Sequence, residues 1–596
     1  MCGIFGAVGP GLRRTDVAAA IAALRHRGPD GWGVWTGDVG STDVVTAWPP
    51  DPDRPWPCDA ADLWNVDPAR RVLLANTRLG LCGHGPASRQ PMTSARDAVI
   101  TFNGEAYNHV LLRNRLEREG RRFRSGSDTE VLLAGYMEWG PAVVRALEGP
   151  FSFAIWDIRA GRLFGARDRF GEKPLYFTHE PTDGRFAFSS SPRALFVSGL
   201  ARGSVRDDIA GAYLFDRLPP PPGTTFFDDV KQIPPGCTFD FDPNSGHLEV
   251  TPFITVESDP SAGMSADIAV LRAALTASLH ARRHANSPVA LCLSGGIDSA
   301  NLAAAARSSI TCYSATGEWG DLPQTGPMPD ERPAVTEVAD AVPQAHVEFL
   351  PLAHEFTFPN FRRFLDDHDE PPLNSGAFVQ WLLMRQVARA GTRAVVTGQG
   401  ADELFWGYPW HIPSYSRDRH WDRVWREDFG ARVPTDSASV DQLEVNALRR
   451  QELFMTRLPQ HLRDDDTNSM AHGIETRTPY LDSAVVDFAM ALPADECFRD
   501  RTTKYPVRAV FAEVLPRRVV WGKVKRGLYA DCTTLWPGQM LAAAQHSLQT
   551  SPVIARIGDT RVLEESLRRQ ELSRASMWRI VALAHTERAA AAWGNA

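Results

Sequence analysis

The 596-residue sequence lacks several features, and each absence excludes a class of protein. It contains no apolar run long enough to span a bilayer, so we expect no membrane partner. Its formal net charge is −8 rather than basic, so we expect no nucleic-acid partner. Its eight cysteines form no Cys-x-x-Cys pair, which argues against a zinc site or a disulfide framework. Such usage is typical of a reducing cytoplasm, where we expect the protein to reside.

The length indicates at least two domains, because 596 residues exceed one ordinary core. Short apolar runs predict strands in residues 1–200, and helices are predicted near 16–26 and 128–138, which together indicate a layered α+β domain. Residues 201–265 are predicted to be a linker, because they contain the breaker-rich runs PPPPG and SDPSAGMS. Residues 266–596 predict an α/β domain with a parallel sheet and a largely helical last third.

The hexapeptide SGGIDS (294–299) lies between a predicted buried strand and an alanine-rich helix. Its glycines let the backbone approach a phosphate, and the helix N-terminus supplies free N–H groups. It is not a Walker loop, since no Gly-Lys-Ser or Gly-Lys-Thr follows. The pattern therefore predicts a nucleotide-phosphate site, and the hexapeptide resembles the pyrophosphate loop of the ATP pyrophosphatases.

A second strand end supports this interpretation. TGQGADE (397–403) follows the short apolar run AVV, at the kind of position where open α/β sheets bind ligands. The adjacent carboxylates Asp402 and Glu403 could hold Mg²⁺ on a pyrophosphate, because magnesium prefers carboxylate and phosphate oxygens.

The first residues, MCGIFGAVG, raise a separate question. Cys2 could be a chance buried thiol at the start of a strand. Alternatively, removal of Met1 would make Cys2 both the N-terminus and a nucleophile, with its own α-amine taking the thiol proton. The residues around Cys2 leave both interpretations open.

Taken in order, the motifs resemble those of glutamine-dependent asparagine synthetases and their relatives, and the resemblance covers nearly the whole chain. The motifs are MCGIFG, RHRGPDG (25–31), QPM (90–92), FNGEAYN (102–108), SGSDTE (125–130), ARDRFGEKPLYF (166–177), SGGIDS, GADELFWGY (400–408), SMAHGIETRTPYLD (469–482) and KVKRGL (523–528). The resemblance implies an α+β N-terminal-nucleophile (αββα) class II glutaminase, with two antiparallel sheets between helices. An α/β ATP-pyrophosphatase domain with a parallel sheet would follow.

For glutamine, the resemblance implies that Cys2 attacks the side-chain amide. The amide of Asn103 and the backbone N–H of Gly104 would stabilise the oxyanion. Arg78 would bind the α-carboxylate, and Glu105 and Asp128 would bind the α-ammonium group or orient the substrate. The glutamine site would be completed by Leu79, Gly80, Leu81 and Cys82.

The resemblance likewise assigns a synthetase site for ATP, Mg²⁺ and a small carboxylate. Asp298 and Asp402 would hold the metal, and Lys525 would neutralise charge on the departing pyrophosphate. The acceptor site would include Gln399, Glu475, Arg477 and Lys504. The ATP site would comprise Cys292, Leu293, Ser294, Gly295, Gly296, Asp298, Ser299, Ala315, Thr397 and Gly398.

The implied reaction hydrolyses glutamine, adenylates a carboxylate with release of pyrophosphate, and captures the acyl-adenylate with ammonia. A dry internal passage would keep the ammonia unprotonated. The resemblance also implies a homodimer. Aspartate is the default acceptor, and the same chemistry on a specialised-metabolite carboxylate is the main alternative. An intramolecular amide cyclase and a scaffold with residual glutaminase activity are lesser ones.

Two positions depart from the family pattern. Gln399 stands where asparagine synthetases commonly carry a glutamate associated with deprotonating ammonia, and a neutral amide cannot act as a base. Relatives that make other amides also change this position, so Gln399 weakens the case for aspartate. Ser191 replaces a common glutamate, and an extra segment at roughly 36–66 has no assigned function.

Overall fold

A computed structural model describes most of the chain. The described residues are 2–9, 13–38, 45–47, 71–81, 86–94, 97–182, 184–254, 267–285, 287–316, 330–408, 442–497, 499, 502–522 and 536–594. Cys82 and Lys525 lie outside these residues, as does most of the extra segment.

The N-terminal half contains two antiparallel sheets. The first has the order β11-β9-β10-β1-β4-β2-β3 and the second the order β13-β12-β8-β7-β6-β5. The strands are β1 Cys2–Val8, β2 Gly31–Gly37, β3 Val45–Ala47, β4 Val72–Arg78, β5 Met92–Ser94, β6 Ala98–Gly104, β7 Phe151–Asp157, β8 Arg162–Arg167, β9 Tyr176–Glu180, β10 Arg185–Ser189, β11 Lys231–Gln232, β12 Cys237–Asp242 and β13 His247–Pro252.

Apolar side chains from both sheets form one core between them. Ile4 and Phe186 from the first sheet share a buried cluster with Trp156 and Phe239 from the second. The α-helices described in this half are Arg14–Ala23, His109–Arg118, Asp128–Trp139, Pro192–Val197 and Asp207–Gly211. The arrangement confirms the expected glutaminase fold.

The predicted linker requires a correction. β12 pairs with β8 of the second sheet, and β11 pairs with β9 of the first, so the sheets extend well beyond residue 200. The missed signal was a period of two: Cys237, Phe239 and Phe241 are buried and alternate with more exposed polar residues. Only the end of the predicted linker, 255–265, lies outside the described residues.

The C-terminal half contains a parallel sheet of the order β16-β15-β14-β17-β18. Its strands are β14 Val289–Cys292, β15 Ile310–Thr316, β16 Ala345–Pro351, β17 Ala394–Val396 and β18 Glu475–Arg477. Ala290 and Val395 pack into one apolar core while Leu291 and Val396 pack into another, so both faces of the sheet are covered.

Helices cover this sheet and form most of the last third. Those described are Ile268–Arg282, Ile297–Ala305, Arg332–Ala341, Phe358–Asp367, Gly376–Arg389, Ala401–Phe405, Gln442–Phe454, Arg457–Met470, Ser483–Ala491, Ala494–Cys497, Tyr505–Ala509, Arg517–Val520, Pro537–Thr550, Pro552–Ile557, Thr560–Arg568 and Arg574–Gly594. None of the helices in the described ranges combines the length and apolar character needed to cross a bilayer.

The strand order fixes where a ligand can bind. The chain passes from β14 to β15 on one side and returns to β17 on the other, so the order reverses between β14 and β17. Crevices at the carboxyl ends of strands at such a switch point are the usual ligand sites of open α/β sheets. SGGIDS follows β14 and TGQGADE follows β17, so both motifs lie there.

Candidate active site

Cys2 is the first residue of β1 and is buried, with 6% of its surface exposed. The antiparallel register places Arg78, the last residue of β4, directly opposite Cys2. Opposite residues on adjacent strands have their Cβ atoms about 5 Å apart, so the predicted substrate-binding arginine adjoins the thiol. Gly3 is tightly packed, since a Cβ there would lie 2.5 Å from Thr77 Oγ1.

Asn103 joins the two sheets at Cys2. Its side chain is fully buried near the end of β6, and its Oδ1 accepts a hydrogen bond from the Cys2 N–H at 3.0 Å. Its Nδ2 donates to Ser152 Oγ at 3.4 Å and Ser190 Oγ at 3.5 Å, which anchors the amide. Gly104 has φ of +155°, and a Cβ there would overlap the Pro150 carbonyl oxygen. The Asn103 side chain, one of the predicted oxyanion donors, therefore contacts the backbone of the predicted nucleophile Cys2.

The other predicted glutamine-site residues surround this corner. Asp128 begins the helix Asp128–Trp139, and its carboxylate accepts the Ala106 N–H at 3.1 Å. Burial raises the pKa of Asp128, partly offset by its hydrogen bonds to backbone N–H groups. Leu79 and Leu81 are buried, and the Gly80 N–H donates to Asp30 Oδ2 at 2.7 Å.

SGGIDS forms the turn into the helix Ile297–Ala305. The Ser294 N–H donates to Ser299 Oγ, and the Gly296 N–H donates to Ser294 Oγ, so side chains within the motif set the loop's shape. The second loop packs against it, because a Cβ on Gly398 would lie 3.1 Å from Asp298 Cβ. Cys292 ends β14, Leu293 follows it, Ala315 lies on β15 and Thr397 follows β17.

Lys504 lies between the two predicted metal ligands. Its Nζ is 2.7 Å from both carboxylate oxygens of Asp298 and 2.7 Å from Asp402 Oδ1, with 5% of the side chain exposed. Burial disfavours its charge, but the two aspartates outweigh burial and raise the pKa of Lys504. Its φ of 56° is left-handed, which is uncommon for a side-chain-bearing residue and often marks a functional site.

The aspartate pair fits a magnesium ion in part. The carboxylates of Asp298 and Asp402, at two neighbouring strand ends, both contact the Lys504 ammonium group. Mg²⁺ is commonly held by one or two carboxylates when substrate phosphates supply its further ligands. Within the described ranges, no group of three or more His, Cys, Asp or Glu side chains is placed to hold a metal. A metal here would therefore depend on the nucleotide for its remaining ligands.

Comparison with known families decides the identity. The model of the asparagine synthase family matches residues 270–593, more than half of the chain, and a glutamine amidotransferase domain model matches 57–253. The chain belongs to the asparagine synthase family. It is a glutamine-dependent carbon–nitrogen ligase with an ATP-using synthetase domain.

Curated relatives cover most of this ligase. Glutamine-hydrolysing asparagine synthetase 3 of Bacillus subtilis (strain 168) is 27% identical over 508 residues, covering 78% of this chain and 81% of that one. Asparagine synthetase B of Escherichia coli (strain K12) is 24% identical over 538 residues, covering 87% and 81%. Asparagine synthetase of Asparagus officinalis is 25% identical over 545 residues, covering 87% and 76%.

Three predicted residues of the ligase meet between the two halves of the chain. On β18, Arg477 Nε donates to Glu475 Oε1 at 2.6 Å, and Arg477 Nη2 donates to Glu105 Oε1 at 2.6 Å. Glu475 and Arg477 were expected near the acyl-adenylate and Glu105 at the glutamine ammonium group. The structure joins all three side chains in one buried cluster across the interface, which sequence spacing could not reveal, and their roles toward the substrates stay predictions.

The two glutamates of this cluster have pKa values shifted in opposite directions. Burial raises the pKa of Glu105 to about 8, despite the nearby Arg477 cation. Glu475 is also buried, but the positive charges of the N-terminal amine, Arg477 and Lys173 hold its pKa well below its usual range. Arg477 thus bonds to two buried carboxylates whose pKa values are shifted in opposite directions.

Gln399 is half-buried in the turn after β17. Nearby Trp406 is 6% exposed and packs in an apolar core, with the Arg449 guanidinium 6.0 Å from its ring centre. Ser191 is the other position that differs from the family pattern. It donates a hydrogen bond to Asp369, which also accepts a hydrogen bond from Arg193 Nε at 3.0 Å. A carboxylate from the C-terminal half therefore lies next to Ser191.

Sequence reasoning missed several contacts around the site. Arg27 forms a buried, two-pronged ion pair with Asp466. The Gly295 N–H donates to Glu331 Oε2 at 3.2 Å, which brings a carboxylate to the predicted phosphate loop. Arg393 pairs with Asp30. Arg27 and Asp30 lie in the quoted RHRGPDG motif, but their partners are far away in sequence and had no local signal.

Proposed function

We propose that this ligase hydrolyses glutamine at Cys2 and transfers the ammonia to a carboxylate that MgATP has adenylated. Aspartate is the first candidate acceptor, and asparagine would be the product. The observation that carries the proposal is that one chain combines two sites. Arg78 and Asn103 lie at Cys2, and SGGIDS and TGQGADE lie at the switch point of the parallel sheet.

In the glutaminase half, the Cys2 thiolate would attack the glutamine amide carbon after the α-amine takes the thiol proton. The side-chain amide of Asn103 and the N–H of Gly104 would stabilise the oxyanion. Arg78 would bind the α-carboxylate through its guanidinium fork. The result is a thioester, glutamate after hydrolysis, and ammonia.

In the synthetase half, backbone N–H groups of Gly295 and Gly296 and the following helix N-terminus would bind the phosphates of ATP. Asp298 and Asp402 would hold Mg²⁺, which supplies positive charge for pyrophosphate departure. The acceptor carboxylate would attack the α-phosphorus, and ammonia would then displace AMP from the acyl-adenylate. The interface around Glu105 and Arg477 is buried, as a passage that excludes water requires.

Two variants test whether the sites are separate. Cys2→Ala should abolish synthesis from glutamine and leave synthesis from ammonium chloride, while Cys237→Ala serves as a matched buried-thiol control in β12. Asp298→Asn should stop pyrophosphate release while glutamate release from glutamine survives. Loss of ammonia-dependent synthesis in a folded Cys2→Ala protein would contradict the proposal, and so would unchanged pyrophosphate release by Asp298→Asn.

Gln399 favours a second candidate, a carboxylate other than aspartate. The attacking ammonia becomes an ammonium-like centre and must lose a proton, and a positioned base typically contributes about 10²–10⁴-fold. Gln399 offers only an amide dipole, so the substrate or another group would supply the base. A screen of carboxylates for glutamine-dependent pyrophosphate release distinguishes the two: release with aspartate alone supports the first candidate, and preference for another acid supports the second.

A further inference from the structure

Asp30 holds the loop that carries the predicted glutamine-binding arginine. Its backbone N–H donates to the Arg78 carbonyl at 3.0 Å, and its Oδ2 accepts the Gly80 N–H at 2.7 Å. The Asp30 residue thus holds the chain on both sides of Leu79. A shift of Asp30 would therefore also shift the backbone of Arg78.

A residue of the synthetase half completes this arrangement. Arg393 Nη2 donates to Asp30 Oδ2, the same oxygen that accepts from Gly80. Arg393 immediately precedes β17, and its carbonyl accepts the Glu475 N–H at 2.9 Å, which fixes its backbone to the sheet. The opposite end of β17 leads into the loop that contains Gln399.

The charges explain why Arg393 matters for substrate binding. A Cβ on Gly80 would lie 3.5 Å from Asp30 Oδ2 and 3.7 Å from Arg78 Cζ, so this carboxylate oxygen and the guanidinium carbon are at most about 7 Å apart. Without Arg393, the Asp30 charge would attract Arg78 and compete with the α-carboxylate of glutamine. With Arg393 present, Asp30 is neutralised from the other side.

We propose that Arg393 is a positioning residue for glutamine recognition, acting from the synthetase half through Asp30 on Arg78. This inference rests on the proposed function, in which Arg78 binds the α-carboxylate. That carboxylate is bound equally in the ground state and the transition state. Losing part of this binding therefore raises KM and leaves kcat unchanged.

The test measures glutamate release from glutamine by the full-length protein, without ATP or acceptor. Arg393→Gln should raise the KM for glutamine about three- to tenfold with kcat within about twofold, since the pair is one-third exposed and partly screened. Arg393→Lys should restore part of the affinity. Arg389→Gln removes another arginine–carboxylate pair, with Glu355, and should leave both constants unchanged.

A second substrate distinguishes weaker binding of the α-carboxylate from a general distortion of the glutamine site. 4-Aminobutanamide is glutamine without its α-carboxylate, so the ratio of kcat/KM for glutamine to that for 4-aminobutanamide should fall three- to tenfold in Arg393→Gln. An unchanged ratio, or a fall in kcat at constant KM, would overturn the inference while glutaminase activity still supports the proposed function. Failure of the wild type to release glutamate would overturn both.

Discussion

The Arg27–Asp466 ion pair gives the sharpest stability prediction. Arg27 Nη1 and Nη2 donate to the two carboxylate oxygens of Asp466 at 2.8 and 3.1 Å, and the side chains are only 4% and 3% exposed. Asp466→Asn keeps the shape but leaves a buried guanidinium without its counter-charge. Removing one partner of such a pair typically costs about 3–5 kcal/mol.

We therefore expect Asp466→Asn to lower Tm by roughly 6–20 °C, at about 2–4 °C per kcal/mol for large domains. The double variant Arg27→Met/Asp466→Leu should recover most of this loss, because replacing both charges by apolar groups removes the desolvation cost. Differential scanning calorimetry of the full-length protein measures both. Arg569→Gln is the control: its pair with Glu565 is largely exposed and should contribute little.

Two outcomes would refute this reasoning. A Tm for Asp466→Asn within about 2 °C of the wild type would mean that the charges are not buried together. A double variant as unstable as the single one would assign the loss to packing around Arg27, not to the uncompensated charge.

Three further predictions concern the site. Burial raises the pKa of Glu105 from its ordinary 4.5 to about 8, so folding favours its protonated form. The Tm of the wild type should therefore fall relative to that of Glu105→Gln between pH 4.5 and 8, and the two Tm curves should run parallel above pH 8. A constant Tm difference at every pH would contradict this prediction. Gln399→Glu should speed asparagine formation from aspartate in steady-state assays. If the wild type already forms asparagine rapidly and the variant is no faster, Gln399 does not determine the acceptor. Gly3→Ala should abolish glutamate release but spare ammonia-dependent synthesis, because its Cβ would press on Thr77 and Leu24; normal glutaminase kinetics would refute the tight fit.

Local sequence patterns predicted the fold well where the signal was local. The strand at Phe151 and the helix at 128–138 are confirmed as Phe151–Asp157 and Asp128–Trp139. The switch-point loops could be placed because each combines an apolar strand with a glycine turn. The strands of 231–252 were missed because proline-rich and turn-rich segments around them suggested a linker.

Contacts between the halves could not be predicted in the same way. Glu105 and Arg477 are 372 positions apart, and each alone resembles an ordinary surface charge. Lys504 is likewise far in sequence from Asp298 and Asp402, yet it bridges them. Spacing indicates which side chains share a strand face, but the packing of two domains decides which distant charges meet.

The place of β18 in the sheet bears on whether the halves can be separated. It is the last strand in the order β16-β15-β14-β17-β18, and its three residues are buried. Arg477 on this strand bonds to Glu105 of the N-terminal half. Removing the N-terminal half would take away the Glu105 carboxylate and expose Arg477 on the last strand of the sheet, and an exposed edge strand can pair with other chains. Expression of residues 267–596 alone should therefore give aggregates, and co-expression with the N-terminal half should rescue solubility.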